Sequence, residues 1–343
     1  MDTSQLLLLA LLPALAAGLL GLLLPFAVRP LLHRWNLVDI PTARSSHSQP
    51  VFRGMGLATA LAALTGYSLA LANGQIFTDR SIALLVLLGM VTSGALGWAE
   101  DYRGVSIKWR AGLQLLIGLA VTLGMTLMLE TSFFWLPVGI FAIAAYINVT
   151  NFMDGINGIS GLHGFAVGLA YAWAGWVNQM PWLLAGGSAL AAAYLAFLPW
   201  NVRTGKNVFL GDAGSYFLGG AIASMTVGAF LSGVYLEYIL SPLLIYLADT
   251  GSTLLRRMIR GEQWYKPHRT HVYQRLTDQG FSHLASAGLV TACTLAITAL
   301  TVAALPFETQ DALWSGLLSL LIIGFYLLLP DLLARFRGAG RGH

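Results

Sequence analysis

Runs of apolar residues, each about 18 to 23 long, recur along this chain and constrain its fold more than any other feature. At 1.5 Å of rise per residue, about 20 helical residues cross a hydrocarbon core about 30 Å thick. The runs lie near 6–28, 55–73, 81–99, 110–129, 133–150, 160–177, 182–200, 213–231, 236–255, 284–305 and 312–333. They predict an all-α, polytopic membrane bundle of about 11 transmembrane helices, built as a single domain over residues 1–343. Only 10% of the residues are charged, against roughly 25% in a soluble domain, so a soluble core could not absorb this much apolar surface. The first run, from Leu6 to about Val28, is too long for a secretory signal and is led by Asp2, so it reads as a retained span. The single cysteine, Cys293, falls in an apolar run, which excludes a disulfide within the chain and a thiolate metal cluster.

Charge then orients the bundle. Arg29, Arg34, Arg44 and Arg53 fall on one inter-span segment, and Arg103, Lys108 and Arg110 on the next but one. Arg203 and Lys206, then Arg256, Arg257, Arg260, Lys266, Arg269 and Arg275, and finally Arg335, Arg337 and Arg341 continue the alternation. Of the 19 basic residues only Arg80 lies on the other side. Basic loops stay in the cytoplasm, so the N-terminus is expected outside and the C-terminus inside. The same scatter of basic residues excludes a nucleic-acid surface, despite a pI near 9.3. The outer loops are short, and Trp135, Trp182 and Trp314 near them fit an aromatic belt. Chemistry is therefore expected on the cytoplasmic side of the membrane.

The inner loops carry the polar residues. GWAEDYRGVSIKWR sets Glu100 beside Asp101, a pair suited to a divalent cation or a cationic transition state, or simply to a solvated helix end. NVTNFMDGINGISG spaces Asn148, Asn151 and Asp154 three apart, so that all three can face one cavity, while Gly155, Gly158 and Gly161 permit close backbone approach. Asp212, in FLGDAGS, sits at the mouth of a helix as an N-cap, a metal ligand or both, and Phe209 could offer a flat face to a base. HRTHVYQRL brings His268 and His271 around Arg269; without a cysteine ligand, phosphate oxygens suit this group better than zinc. Asp249 is an ionisable residue within the ninth span and points to function, whereas His163 reads as a packed, hydrogen-bonded histidine.

Six segments in register, RSSHSQPVFRGMG, GWAEDYRG, NVTNFMDGINGISG, FLGDAGS, DTGSTLLRR and HRTHVYQRL, resemble the polyprenyl-phosphate N-acetylhexosamine-1-phosphate transferases of the glycosyltransferase family 4 type. That membrane family includes the phospho-MurNAc-pentapeptide translocase. The SSH and HRTHVYQRL segments look more like its O-antigen-initiating, WbpL-like branch. The resemblance implies a Mg²⁺ enzyme, with Mn²⁺ as a substitute, taking undecaprenyl phosphate and a UDP-N-acetylhexosamine, releasing UMP, and often forming a homodimer in membrane lipid. Carried over to this sequence, it implies Asp212 and Asp101 as metal ligands. Glu100, Asp101, Asp154, His268, Arg269 and His271 become catalytic groups. Arg53, Asn148, Asn151, Gly155, Asn157, Phe209 and Asp249 become substrate-binding residues. Glu100 stands where the family usually has Asp, and Asn157 likewise. The rival reading, a transporter or flippase of polyprenyl-linked sugars, would spread polar groups through the spans near the midplane, whereas here they gather at one face.

Overall fold

The computed structural model describes residues 2–39, 51–203, 208–263, 268–304 and 309–339. Residues 44–50 of the RSSHSQPVFRGMG segment, Lys206, Lys266 and Arg341 lie outside the described residues. The helices in chain order are α1 (Thr3–Arg34), α2 (Gly56–Ala72), α3 (Arg80–Arg103), α4 (Ile107–Met128), α5 (Leu136–Met153), α6 (Ile159–Val177) and α7 (Pro181–Asn201). They continue as α8 (Gly211–Leu231), α9 (Leu236–Leu240), α10 (Leu244–Ile259), α11 (Val272–Asp278), α12 (His283–Ala303) and α13 (Thr309–Ala339). Among the described residues, nine helical segments are long and apolar enough to cross a membrane. The segments expected at 55–73 and 160–177 are helical too, as α2 and α6; α2 has 17 residues, and α6 carries His163, Tyr171 and several glycines that lower its hydropathy.

Two local features depart from the expected pattern. The ninth span is not one helix: α9 gives way at Ser241–Leu243 to a tighter turn before α10 begins. Pro242 supplies no N–H to the ladder, which is the physical reason for the break. The stretch after HRTH folds as the short helix α11, which no apolar run announces. Ahead of α2, strands β1 (Val38–Asp39) and β2 (Val51–Phe52) pair antiparallel.

The bundle is organised around α8, whose sequence GDAGSYFLGGAIASMTVGAFL is small enough to admit neighbours on every side. Helices in lipid gain little from apolar contact alone, so close backbone approach through small residues holds them together. A Cβ at Gly56 would overlap Gly214, one at Gly219 would meet Ile147 and Thr150, and one at Gly97 would overlap the carbonyl of Asp212. α8 is thus pressed against α2, α3 and α5, while α1 and α13 lie on the outside with most of their surface exposed. Trp182, expected in an aromatic belt, is instead fully buried in the packed α7; Trp135 and Trp314 do face outward. His163 is buried as expected, sharing a 2.9 Å hydrogen bond through Nε2 with the Tyr146 hydroxyl and stacking on Tyr246.

Candidate active site

The C-terminal ends of α3 and α5 meet the N-terminal end of α8, and their polar residues converge there. Asp101, near the end of α3 and only 3% exposed, reaches across to α8, where its Oδ2 accepts a 2.9 Å hydrogen bond from the Ala213 N–H. The first N–H groups of a helix lack partners within it, and a carboxylate there also meets the positive end of the helix dipole. The sequence suggested that Asp212 caps its own helix. The structure gives that role to Asp101, from another helix, and puts Asp212 within the first turn. Gly211, at φ +73°, makes the turn into α8; a Cβ there would lie 2.6 Å from Asp101 Oδ2.

Asp212 is half-buried. Its Oδ1 accepts a 2.6 Å hydrogen bond from Nδ2 of Asn151 on α5, and the same amide lies 3.2 Å from Ser215 Oγ on α8. The Thr150 hydroxyl donates to the Ser215 carbonyl at 2.9 Å, so α5 is fixed to α8 at the site itself. Asp154, capping the end of α5, accepts from Ser160 Oγ at 2.6 Å. Burial pushes its carboxyl up to about 8; Asp212 and Asp101 push the same way, and the Ser160 hydrogen bond opposes them.

Other expected site residues have different partners. Both oxygens of Glu100 are engaged, Oε1 by Arg110 Nη1 at 2.9 Å and Oε2 by the Val105 N–H at 2.6 Å, so this carboxylate closes the turn from α3 into α4. Asn148 turns away from Asn151 to donate to Gln114 Oε1 of α4 at 2.7 Å and to the Ala144 carbonyl at 2.8 Å. The three-residue steps therefore fan out: Asn148 serves the α4 contact and Asn151 the α8 contact. Arg53 donates from Nη2 to the Asp101 carbonyl at 3.2 Å, which brings its charge beside the acidic cluster. Phe209 is half-buried and exchanges backbone hydrogen bonds with the segment before α2, donating to Phe52 O at 2.8 Å and accepting from Met55 N at 3.1 Å.

The glycines also prove to be protein contacts. A Cβ on Gly155 would overlap the Tyr273 hydroxyl of α11, and one on Gly161 would meet Leu198 and the Tyr194 carbonyl. Gly158, at φ +93°, opens α6, and its N–H donates to Asn201 Oδ1 at 2.5 Å. The Asn157 N–H donates to His283 Nδ1 at 3.4 Å.

α11 sits over the end of α5. The Tyr273 hydroxyl donates to the Phe152 carbonyl at 3.0 Å, and the His271 ring stacks on Phe152 at 6.5 Å between centroids. His268 stacks on His271 at 4.9 Å. Burial, helped by the neighbouring His271 ring and the Arg257 charge, pushes the His268 imidazole down to about 4, so it is neutral at pH 7 and adds no charge toward phosphate. Arg269 pairs with Asp278 at 3.3 Å. Beside it a cavity of about 430 Å³ is lined by Arg256, Arg257, Arg260, Arg269 and Arg275, against the carboxylates of Glu262 and Asp331. Asp249, expected to bind substrate, is fully buried, and its carboxylate accepts from the Val272 N–H at the start of α11 at 3.0 Å.

Sequence reasoning missed Arg110, which was counted only as a basic loop residue; its ion pair with Glu100 brings a cation to the acidic cluster. Tyr273 and Tyr326 were missed as well, because an apolar-looking tyrosine in a helix gives no signal of its role.

Among the described residues no three His, Cys, Asp or Glu side chains converge on a point that could hold a metal. The cluster nonetheless supplies only oxygen donors, from carboxylates, amides and hydroxyls, with no imidazole or thiolate among them. Mg²⁺ is ordinarily bound in this way, through one or two carboxylates plus substrate phosphates, so the donor set fits it.

Residues 83–230, the stretch from α3 to the end of α8 that builds this cluster, match the profile of glycosyl transferase family 4. Over that stretch the chain is similar to glycosyl transferase family 4. Its homologues include the decaprenyl-phosphate N-acetylglucosaminephosphotransferase of Mycolicibacterium smegmatis, 28% identical over 77% of this chain and 74% of the relative. The protein of that name in Mycobacterium leprae is 27% identical over 78% of this chain and 75% of the relative. The phospho-N-acetylmuramoyl-pentapeptide-transferase of Halalkalibacterium halodurans is 31% identical over 43% of this chain and 51% of the relative. The match ends before α10 and α11, so the histidine-bearing segment lies outside the profile.

Proposed function

We propose that this chain transfers an N-acetylhexosamine-1-phosphate from a UDP-sugar to undecaprenyl phosphate, as the initiating step of O-antigen or another cell-surface polysaccharide. The observation that carries the reading is the meeting of Asp101, Asn151, Asp154 and Asp212 at one end of the bundle, within the stretch of a multispan chain that is similar to glycosyl transferase family 4. The names of the relatives support the same chemistry. The acceptor is a lipid, so its phosphate must reach the site from the side, at the end of helices that face the bilayer. The basic end residues favour the cytoplasmic face of the inner membrane, with the N-terminus outside.

In the reaction a phosphate oxygen of the lipid attacks the β-phosphorus of the UDP-sugar. The bond from that phosphorus to the bridging oxygen breaks, and UMP leaves with the electron pair. Two anions must approach one another, so catalysis rests on alignment and on charge neutralisation. Asp212, with Asp101 beside it, would hold Mg²⁺, which would offset negative charge on the phosphates. Asn151 orients Asp212; Arg53 and Arg110 bring positive charge to the acidic cluster; Arg269, with a fork suited to paired phosphate oxygens, meets the diphosphate. Asp154 and His271 border the same space from the end of α5 and from the loop before α11. Phe209 and Asn157 are the residues assigned to the uracil side.

The experiment is to incubate purified protein with undecaprenyl phosphate and a panel of UDP-N-acetylhexosamines, with and without Mg²⁺ or Mn²⁺, and to weigh the lipid product. A lipid pyrophosphate sugar formed only with the cation is expected. Undiminished turnover in EDTA would remove the metal from this account, and no lipid product with any donor would remove the reaction.

A further inference from the structure

Asp249 is the buried charged group for which the reaction above has no use. It lies on α10 with no exposed surface, yet donors surround it. Oδ1 accepts from His271 Nδ1 at 3.0 Å, from the Val272 N–H at 3.0 Å and from Thr253 Oγ1 at 3.3 Å. Oδ2 accepts from the Tyr273 N–H at 3.3 Å and from the Tyr326 hydroxyl at 2.7 Å. A carboxylate inside a membrane bundle is costly unless it is satisfied in this way. The backbone N–H groups of Val272 and Tyr273 can only donate, so the ionised carboxylate, which only accepts, is the form this pocket satisfies.

An acceptor at Nδ1 has a consequence for the histidine. The proton must sit on Nδ1, and Nε2 is then the nitrogen left for a substrate, as when a carboxylate fixes the tautomer of a catalytic or metal-bound histidine. The ring plane is set independently by Phe152, at 6.5 Å, and by Tyr273, at 5.7 Å. Phe152 lies two residues before Asp154, and the Tyr273 hydroxyl is bonded to its carbonyl. The imidazole, itself only 2% exposed, is thus fixed at the end of α5, where the acidic cluster begins.

We propose that Asp249 is a positioning residue that holds His271 as its Nδ1–H tautomer and so presents Nε2 to the sugar-phosphate end of the donor. The inference rests on the transferase reading for what His271 meets, and on the hydrogen bonds alone for how it is held. Asp249 itself touches no substrate.

Two measurements test it. The first is ¹⁵N NMR of histidine-labelled, detergent-solubilised wild-type protein at about pH 8, with the His271 signals assigned by their loss in His271→Asn. Protonation at Nδ1 is expected; an imidazole protonated at Nε2 alone would overturn the proposal. This arm uses no substrate, so a wild-type chain that transfers nothing would defeat the functional reading while the tautomer still decides the positioning claim. The second is a double-mutant cycle on kcat/KM for the UDP-sugar. Asp249→Asn and His271→Asn are each expected to lose at least about tenfold, and the double variant to fall within about threefold of His271→Asn alone. Losses that multiply would show Asp249 acting independently of the histidine. Tyr326→Phe, which keeps the carboxylate and removes one donor, is expected to stay within about threefold of wild type. A loss as deep as that of Asp249→Asn would make the pocket a seat for α13 and sink the proposal.

Discussion

Asp101 and Asp212 divide two tasks that a single carboxylate could not perform well. One oxygen of Asp101 is spent on the α8 N-terminus, whereas Asp212 sits half-open at the head of the same helix, oriented by Asn151. Asp212→Asn should therefore abolish turnover while leaving the melting temperature within a few degrees of wild type, because in the proposed reaction the charge serves a ligand rather than packing; a thermal melt beside an activity assay reads both. Asp101→Asn should cost stability as well, since the amide puts a donor where α8 presents N–H groups. Asp154 gives a pH signature. Its folded carboxyl titrates near 8, against about 4 in an unfolded chain. Between those values the folded state binds a proton that the unfolded state does not, so stability falls as pH rises across the window. In metal-free detergent, wild-type protein should lose melting temperature from pH 5 to pH 8 relative to Asp154→Asn. Identical slopes in the two proteins would show that the carboxyl is not perturbed.

At the scale of elements, α11 is the piece on which the site's second half depends. It is a seven-residue helix, too short to be stable alone, and it is held by Asp249 from below and by Tyr273 against α5. Gly155 is the point of closest approach. Gly155→Ala should push Tyr273 off the end of α5, lowering kcat/KM at least about tenfold with a smaller loss of global stability; an active variant would mean that the loop and α5 need not meet. Much of the element order was legible in the sequence, because a span is a local property: about 20 apolar residues announce it without reference to anything else. What was not legible is pairing across the chain. Nothing near Asp101 says that its partner is the Ala213 N–H, and nothing near Asp249 says that its partners are residues 271–273 and Tyr326. The motif residues stood out by type, but whether an oxygen faces a ligand or another helix is decided by packing. For that reason the sequence could not say that Glu100, Asn148 and Asp249 bond to other parts of the protein, or that Asp212 and Asn151 meet. The break between α9 and α10 was readable in principle from Pro242.

The whole molecule is a bundle whose central helix is lined with small residues and whose carboxylates Asp101, Asp154 and Asp212, assigned above to the proposed reaction, sit at one end of it. Polar groups placed near a helix end are cheaper than polar groups at the bilayer midplane, and they can meet a water-soluble nucleotide and a lipid phosphate together. A transporter would need its binding groups deeper and spread between repeats. The account's central claim is that phosphate travels with the sugar, which distinguishes this chemistry from simple glycosyl transfer. The measurement that tests it most directly uses purified protein, undecaprenyl phosphate, Mg²⁺ and UDP-N-acetylglucosamine carrying radiolabel on its β-phosphate. Label in the lipid fraction with UMP as the released nucleotide is predicted; label remaining in the aqueous phase as UDP, with an unphosphorylated sugar on the lipid, would contradict it.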